Sequence, residues 1–250
     1  MYFEAAEISL TDYCNRACSF CPQVMPEFHD LYKNKMMEFS TLENIKRDFE
    51  KFDKRPLIIL AGFGEPLLYK RIDDVLDLFS EYEILMFTNM DNKKKIPDRK
   101  NIMIIGNIYD KENETEYMSI LNNLKHSRFS YIKHYEAEKD RYQNRAGLFP
   151  EYGKDSWKEQ PCRLPSNNLY IDHLGNVLLC CNDWFRNNIF GNVNENSLFE
   201  IIDERYISKA KAININRQNN EFCKDCTYKS GKSHKVYAEE NINKVSKGIV

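Results

Sequence analysis

The sequence predicts an α/β fold on a mostly parallel sheet, followed by a small C-terminal unit tied together by metal ligands. Three observations carry this expectation. Apolar runs alternate with amphipathic helical stretches through the first half, a hairpin pattern takes over from about Gln160, and the eight cysteines fall into two groups.

Ala6–Leu10 and Leu57–Ala61 are short apolar runs that end in polar or glycine-containing loops, as buried parallel strands do. Between them, Ser40-Thr41-Leu42-Glu43 has the form of a capping box ahead of Ile45, Phe49 and Phe52, which share one helical face. The alternation continues with a helix near Ile72–Tyr82, strands at Ile84–Thr88 and Ile102–Ile105, a helix near Glu114–His126 and a strand at Phe129–Lys133. Such an order builds a parallel sheet, open or curled into a partial barrel, with ligand-binding loops at the C-terminal strand ends. Farther on, Asn168–His173 and Asn176–Cys180 flank Leu174-Gly175 as an antiparallel hairpin, and a helical stretch near Ser197–Ala212 leads to Cys223 and Cys226. The Lys- and Asn-rich Lys229–Val250 reads as a peripheral helix or tail. The expected division is 1–155, 156–228 and 229–250.

A chain of 250 residues with 42% hydrophobic and 13% aromatic residues can bury one substantial core and a small satellite. The net charge is −2, and basic residues are interleaved with acidic ones, which argues against nucleic acid or an anionic membrane as partner. No run of about 18 apolar residues occurs, and the start lacks signal-peptide character, so a cytoplasmic protein is expected. In that compartment cysteines are reduced, and metal ligation is the better default than disulfides.

Cys14, Cys18 and Cys21 place three thiolates in eight residues, directly after the first expected strand. Three thiolates hold three irons of a [4Fe–4S] cube and leave the fourth open to an external ligand. Zinc motifs usually join two close pairs, which these spacings fit poorly. Phe63-Gly64-Glu65-Pro66 follows the second strand, where Gly64 admits close backbone approach and Glu65 offers a carboxylate to a cationic amine. Here the chain resembles the radical S-adenosylmethionine superfamily, with its C-x3-C-x2-C motif and G-E-P turn. The resemblance implies a partial (β/α) barrel of five to six parallel strands and S-adenosylmethionine chelated to the open iron. It implies Phe20 on the adenine side and the Phe63–Glu65 segment, with Glu65, at the methionine amine. Thr88-Asn89 stands where relatives have Thr-Asn-Gly, so Asn89 carries over while Met90 departs.

Cys162, Cys180, Cys223 and Cys226 supply four ligands, enough to close a second site, and on spacing alone zinc and a cluster both suit them. The string Gly175-Asn176-Val177 with Cys180, the later Phe190-Gly191-Asn192-Val193 and the final C-x2-C resemble the SPASM and shorter twitch domains. That likeness implies a second [4Fe–4S] cluster. Cys181 is left over, either as a small buried apolar residue or as a reactive thiol beside the cluster.

A resemblance covering nearly the whole chain is to the twitch-bearing aminocyclitol dehydrogenases. Its carriers include Asn144-Arg145 ahead of Gly147 and Cys162-Arg163-Leu164-Pro165-Ser166-Asn167. It nominates Arg145 beside a substrate carbinol; read alone, Arg145 is a surface arginine in a charged loop. The implied function is abstraction of hydrogen from a sugar or aminocyclitol carbinol and oxidation to a ketone. A small carbohydrate-like substrate and a reducing partner such as flavodoxin or ferredoxin would be needed. The rivals are a sugar epimerase with Cys181 as hydrogen donor, a peptide-modifying maturase and a cysteine-rich zinc scaffold. The histidines His29, His126, His134, His173 and His234 form no ligand motif and read as surface or satisfied core residues.

Overall fold

The computed structural model describes residues 1–139, 142–229, 239–240 and 242. In chain order the elements are β1 (Ala5–Ile8), α1 (Phe39–Phe49), β2 (Leu57–Leu60), α2 (Ile72–Leu78), β3 (Ile84–Thr88), β4 (Ile102–Ile108), α3 (Glu114–Asn122) and β5 (Arg128–Lys133). They continue as α4 (Leu164–Asn167), β6 (Asn168–Ile171), β7 (Asn176–Leu178), β8 (Ile189–Asn192), α5 (Leu198–Ile201) and α6 (Glu204–Ile215). All eight strands join one sheet in the order β5-β4-β3-β2-β1-β6-β7-β8. The first six of that series pair in parallel and the last two antiparallel.

Alternation along the central strands sorts their side chains into two cores. On one side Ala6, Ile8, Ile58, Leu60, Ile84 and Met86 meet Leu42, Ile45 and Phe49 of α1 and Ile72, Val75 and Leu76 of α2. Ala5, Ile59, Leu85, Met103 and Ile105 form a smaller second cluster on the opposite face. Two residues farther along on that second face come Glu7, Ala61, Phe87 and Asn107, all of which open into a large cavity. The strand period therefore brings four successive strands to one site at their C-terminal ends.

Several expected elements shift. Helix α1 begins at Phe39 with Glu38 as a cap that makes no side-chain bond. Ser40–Glu43 is thus not the capping box expected there, because Ser40 already lies inside the helix; the Thr41 hydroxyl next to it donates to Asn194 Oδ1 at 2.8 Å, 153 residues away in sequence. A true capping box lies at Ser197 and Glu200, heading α5. The expected helix at 197–212 is two, broken between Ile201 and Glu204 where Asp203 caps α6. Helices α2 and α3 end four residues earlier than expected, and β8 had not been foreseen. The C-terminal unit is not held by metal ligands alone. β6 pairs with β1, and Leu169, Val177, Leu198, Tyr206 and Ile213 share the core of Ala6 and Phe49. The division expected at 155/156 falls in the connection between β5 and β6, and strands from both sides of it join the one sheet. The tail expected at 229–250 lies largely outside the described residues. Among the described residues no helix is long and apolar enough to cross a membrane.

Candidate active site

The cavity at the strand ends has a volume of about 370 Å³. Cys14, Cys18 and Cys21 reach it from the loop after β1, all three half-buried. Arg16, between them, pins that loop: it donates Nε and Nη2 to Asp91 at 2.8 and 2.7 Å, and its Nη1 lies 2.9 Å from Asp110 Oδ2. Asp91 follows β3 and Asp110 follows β4, so a bidentate guanidinium–carboxylate pair ties the cysteine loop to two strand ends. Burial raises all three thiols, Cys14 to about 11.

The Gly64 turn packs against the same loop. A Cβ on Gly64 would stand 2.4 Å from the Thr11 carbonyl oxygen and 2.6 Å from that of Tyr13, so only glycine lets the two backbones meet. Glu65, 4% exposed, donates its N–H to the Tyr13 carbonyl, and its carboxylate accepts from Thr88 Oγ1 at 2.7 Å, Asn89 N at 2.8 Å and Leu67 N at 3.1 Å. Burial still holds its pKa above the ordinary value, the three donors offsetting only part of the desolvation. No cation pairs with it among the described residues, so a carboxylate primed for one opens into the cavity. Asn89 donates to Asn15 Oδ1 at 2.8 Å, and its Nδ2 sits 3.9 Å from Cys14 Sγ. It braces the cysteine loop.

An aromatic wall closes one side. Phe20 stacks on Tyr142 at 4.3 Å between centroids, and Tyr109 on His134 at 4.5 Å. His134 is thus not an idle surface residue. The Asn107 amide donates to the Thr88 carbonyl, which turns its Oδ1 toward His134 Nε2 at 2.9 Å, while Tyr142 Oη meets Nδ1 at 3.0 Å. Burial, then the charge of Arg145, lowers the His134 pKa to about 4, so the ring is neutral with its proton on Nε2.

Arg145 enters the cavity rather than the solvent, and its charge acts on Glu7, Cys21, Cys181 and His134. Its backbone is left-handed, φ +50°, as is that of Ala146 at +55°. Two such non-glycine residues in a row cost roughly 1–3 kcal/mol each. The anchor that holds them is Asn144, whose side chain donates to the Asp225 carbonyl at 2.7 Å and accepts the Thr227 N–H at 2.9 Å.

Behind this cavity Cys162, Cys180, Cys223 and Cys226 line a second, smaller one. The four thiols stand around one space. Asn182 N–H donates to Cys180 Sγ and Tyr228 N–H to Cys226 Sγ, both at 3.4 Å, bonds that favour thiolate sulfur. Arg217, 1% exposed, lines the same cavity, donates to the carbonyls of Trp157, Gln160 and Cys226, and lowers the thiols of Cys162 and Cys223 against their burial. A buried cation beside four thiolates suits an anionic cluster.

Cys180 and Cys181 diverge: Cys180 lines the rear cavity and Cys181 the front one. The spare thiol of Cys181, at the start of a turn closed by the Asp183 N–H on the Cys180 carbonyl, packs against the main core and also faces the front cavity.

Residues 162–227 match the family model of the SPASM iron–sulfur cluster-binding domain. A relative from Niallia circulans, an S-adenosyl-L-methionine-dependent 2-deoxy-scyllo-inosamine dehydrogenase, is 23% identical over 94% of this chain and 97% of its own. The solved structure of BtrN in complex with AdoMet and 2-DOIA is similar at TM-score 0.74, with 20% identity over 95% of this chain and 98% of that one. That of anSMEcpe with bound AdoMet is similar at TM-score 0.58, with 13% identity over 98% and 96% of the two chains. The chain shares the fold of these two AdoMet-bound structures, and the stretch from Cys162 to Thr227 is similar to the SPASM domain. The matched SPASM segment contains all four rear cysteines.

Sequence reasoning overlooked Glu7, Arg16, Tyr109, Trp184, Arg217 and Tyr228. Glu7 had a signal: a carboxylate inside Ala5-Ala6-Glu7-Ile8, a strand with partners on both sides, is 9% exposed, and burial pushes it up to about 7. Arg16 had one too, its place between Cys14 and Cys18 in the cysteine loop, whereas the positions of Tyr109, Trp184, Arg217 and Tyr228 depend on how distant loops close.

Proposed function

We propose that the chain is a radical S-adenosylmethionine oxidoreductase that converts a carbinol of a sugar or aminocyclitol to a ketone. One observation carries this reading: the three loop cysteines, the buried Glu65 carboxylate, the aromatic wall and Arg145 open into a single cavity. Cys14, Cys18 and Cys21 hold a [4Fe–4S] cluster. Glu65 takes the methionine amine, Phe20 lines the adenine, Phe63 and Gly64 shape the turn around them, and Asn89 fixes the loop. Cys162, Cys180, Cys223 and Cys226 hold the auxiliary cluster. When bound, these groups supply a 5′-deoxyadenosyl radical for hydrogen abstraction and an acceptor for one electron.

The protein's own part is orientation and proton movement. An arginine with a pKa above about 12 is a poor base, so Arg145 orients the hydroxyl and stabilises negative charge developing on its oxygen. Glu7 faces the same space and, raised to about 7, takes the hydroxyl proton. The likeness to the N. circulans dehydrogenase supports the aminocyclitol class. A low-potential reductant such as flavodoxin or ferredoxin starts each turnover.

Cys181 in the same cavity favours a second reading, an epimerase in which this thiol returns a hydrogen atom. Turnover of a substrate deuterated at the carbinol carbon separates the two. Oxidation puts deuterium into 5′-deoxyadenosine and yields a ketone, and Cys181→Ala stays active. An epimer that carries solvent deuterium, lost in Cys181→Ala, contradicts oxidation.

A further inference from the structure

The reaction cavity and the four-thiol cavity lie back to back. Among the described residues Tyr228 is the one side chain that lines both. Its N–H donates to Cys226 Sγ at 3.4 Å. A parallel link runs beside it: the Asn182 amide donates to Gln143 Oε1 at 2.7 Å and sits 3.9 Å from Cys226 Sγ, while Gln143 lines the reaction cavity. Trp184 and Phe87 line the reaction cavity alone, and Phe222 the rear one alone.

We propose that the Tyr228 ring is the path by which the electron released in substrate oxidation leaves the reaction cavity for the cluster held by the four thiols. This rests on the oxidation reading above. Hydrogen abstraction leaves a carbon radical that bears a hydroxyl. Its O–H bond breaks, the proton goes to Glu7, the carbon–oxygen π bond forms, and one electron passes to the oxidised auxiliary cluster. Tyr228 itself gains and loses nothing. Electron tunnelling weakens more steeply across open or water-filled space than through packed and bonded atoms. Tyr228 offers ring, backbone and one N–H···S bond in unbroken sequence from the reaction cavity to Cys226. The phenol hydroxyl is not part of that path.

The test compares Tyr228→Phe, Tyr228→Leu and Tyr228→Ala with the unaltered holoenzyme, using 2-deoxy-scyllo-inosamine as probe substrate. Tyr228→Leu fills volume without a ring, which guards against collapse in the alanine variant. Tyr228→Phe should match the parent. The other two should cleave S-adenosylmethionine at the parent rate but give at least about tenfold less ketone per 5′-deoxyadenosine. Freeze-quenched EPR should then record an organic radical where the parent records a reduced cluster. The auxiliary midpoint potential, titrated without S-adenosylmethionine, should be unchanged in the phenylalanine and leucine variants, which separates a path from damage to the cluster. Full ketone yield in the leucine and alanine variants overturns the proposal. So does an equal loss in all three with a shifted potential. If the unaltered protein cleaves S-adenosylmethionine yet forms no ketone, the oxidation reading falls and this path falls with it.

Discussion

Asn144 and Thr227 exchange two hydrogen bonds: Asn144 N–H donates to Thr227 Oγ1 at 2.8 Å and Thr227 N–H to Asn144 Oδ1 at 2.9 Å. The pair joins the segment that aims Arg145 to the residue after Cys226. Asn144→Ala removes the side-chain half of this lock and strands a buried N–H, which should cost roughly 2–3 kcal/mol in chemical denaturation. With its left-handed backbone released, Arg145 should leave the cavity. The variant should still cleave S-adenosylmethionine while ketone falls about 100-fold, as for loss of one oriented charge-stabilising donor. Ketone yield equal to the parent's would deny Asn144 this role.

Met90 explains how the chain departs from Thr-Asn-Gly without losing the turn. Its φ is +63°, the conformation glycine favours, and a Cβ on Gly106 would stand 2.4 Å from its sulfur. The glycine needed in the turn is in effect moved to β4, where it makes room for the buried methionine. Gly106→Ala should destabilise by about 1–3 kcal/mol through overpacking, and Met90→Ala in the same chain should recover most of it. A urea double-mutant cycle with additive losses would refute the coupling.

His134 fixes a pH dependence. Its folded pKa is lowered to about 4, below the unfolded value near 6.5, so the unfolded chain takes up the proton first. Stability should therefore be fully present above pH about 6.5 and decline as pH falls toward 4. His134→Gln should flatten that decline, as followed by thermal melts across the window. An unchanged slope would mean that His134 is charged in the folded state.

Glu65→Ala should keep both clusters yet weaken S-adenosylmethionine binding by about 1.5–3 kcal/mol, the range for a charge-assisted hydrogen bond. Equilibrium titration of the reconstituted protein reads this directly. Unaltered affinity would remove Glu65 from the amine site.

The parts of this site legible in the sequence were those set by local spacing. Cys14, Cys18 and Cys21 must share a loop, Glu65 must sit just past a strand, and an apolar run such as Leu57–Leu60 can only be buried. The illegible parts depend on chain closure. Ser40 looks like a helix cap until α1 starts one residue before it, and Arg217 looks like a surface residue until three carbonyls surround it. The short strand Ile189–Asn192 is visible only once β7 pairs with it. Glu7 was legible and overlooked, since a carboxylate inside a two-sided strand is costly unless it works.

The most direct test of the account is the metal content of protein reconstituted without oxygen, since the proposed function places one cluster at each of the two cavities. The unaltered chain should hold about eight irons, and the variant with Cys14, Cys18 and Cys21 changed to alanine about four, with no stoichiometric zinc in either. One zinc per chain held by Cys162, Cys180, Cys223 and Cys226, with iron confined to the first site, would contradict it.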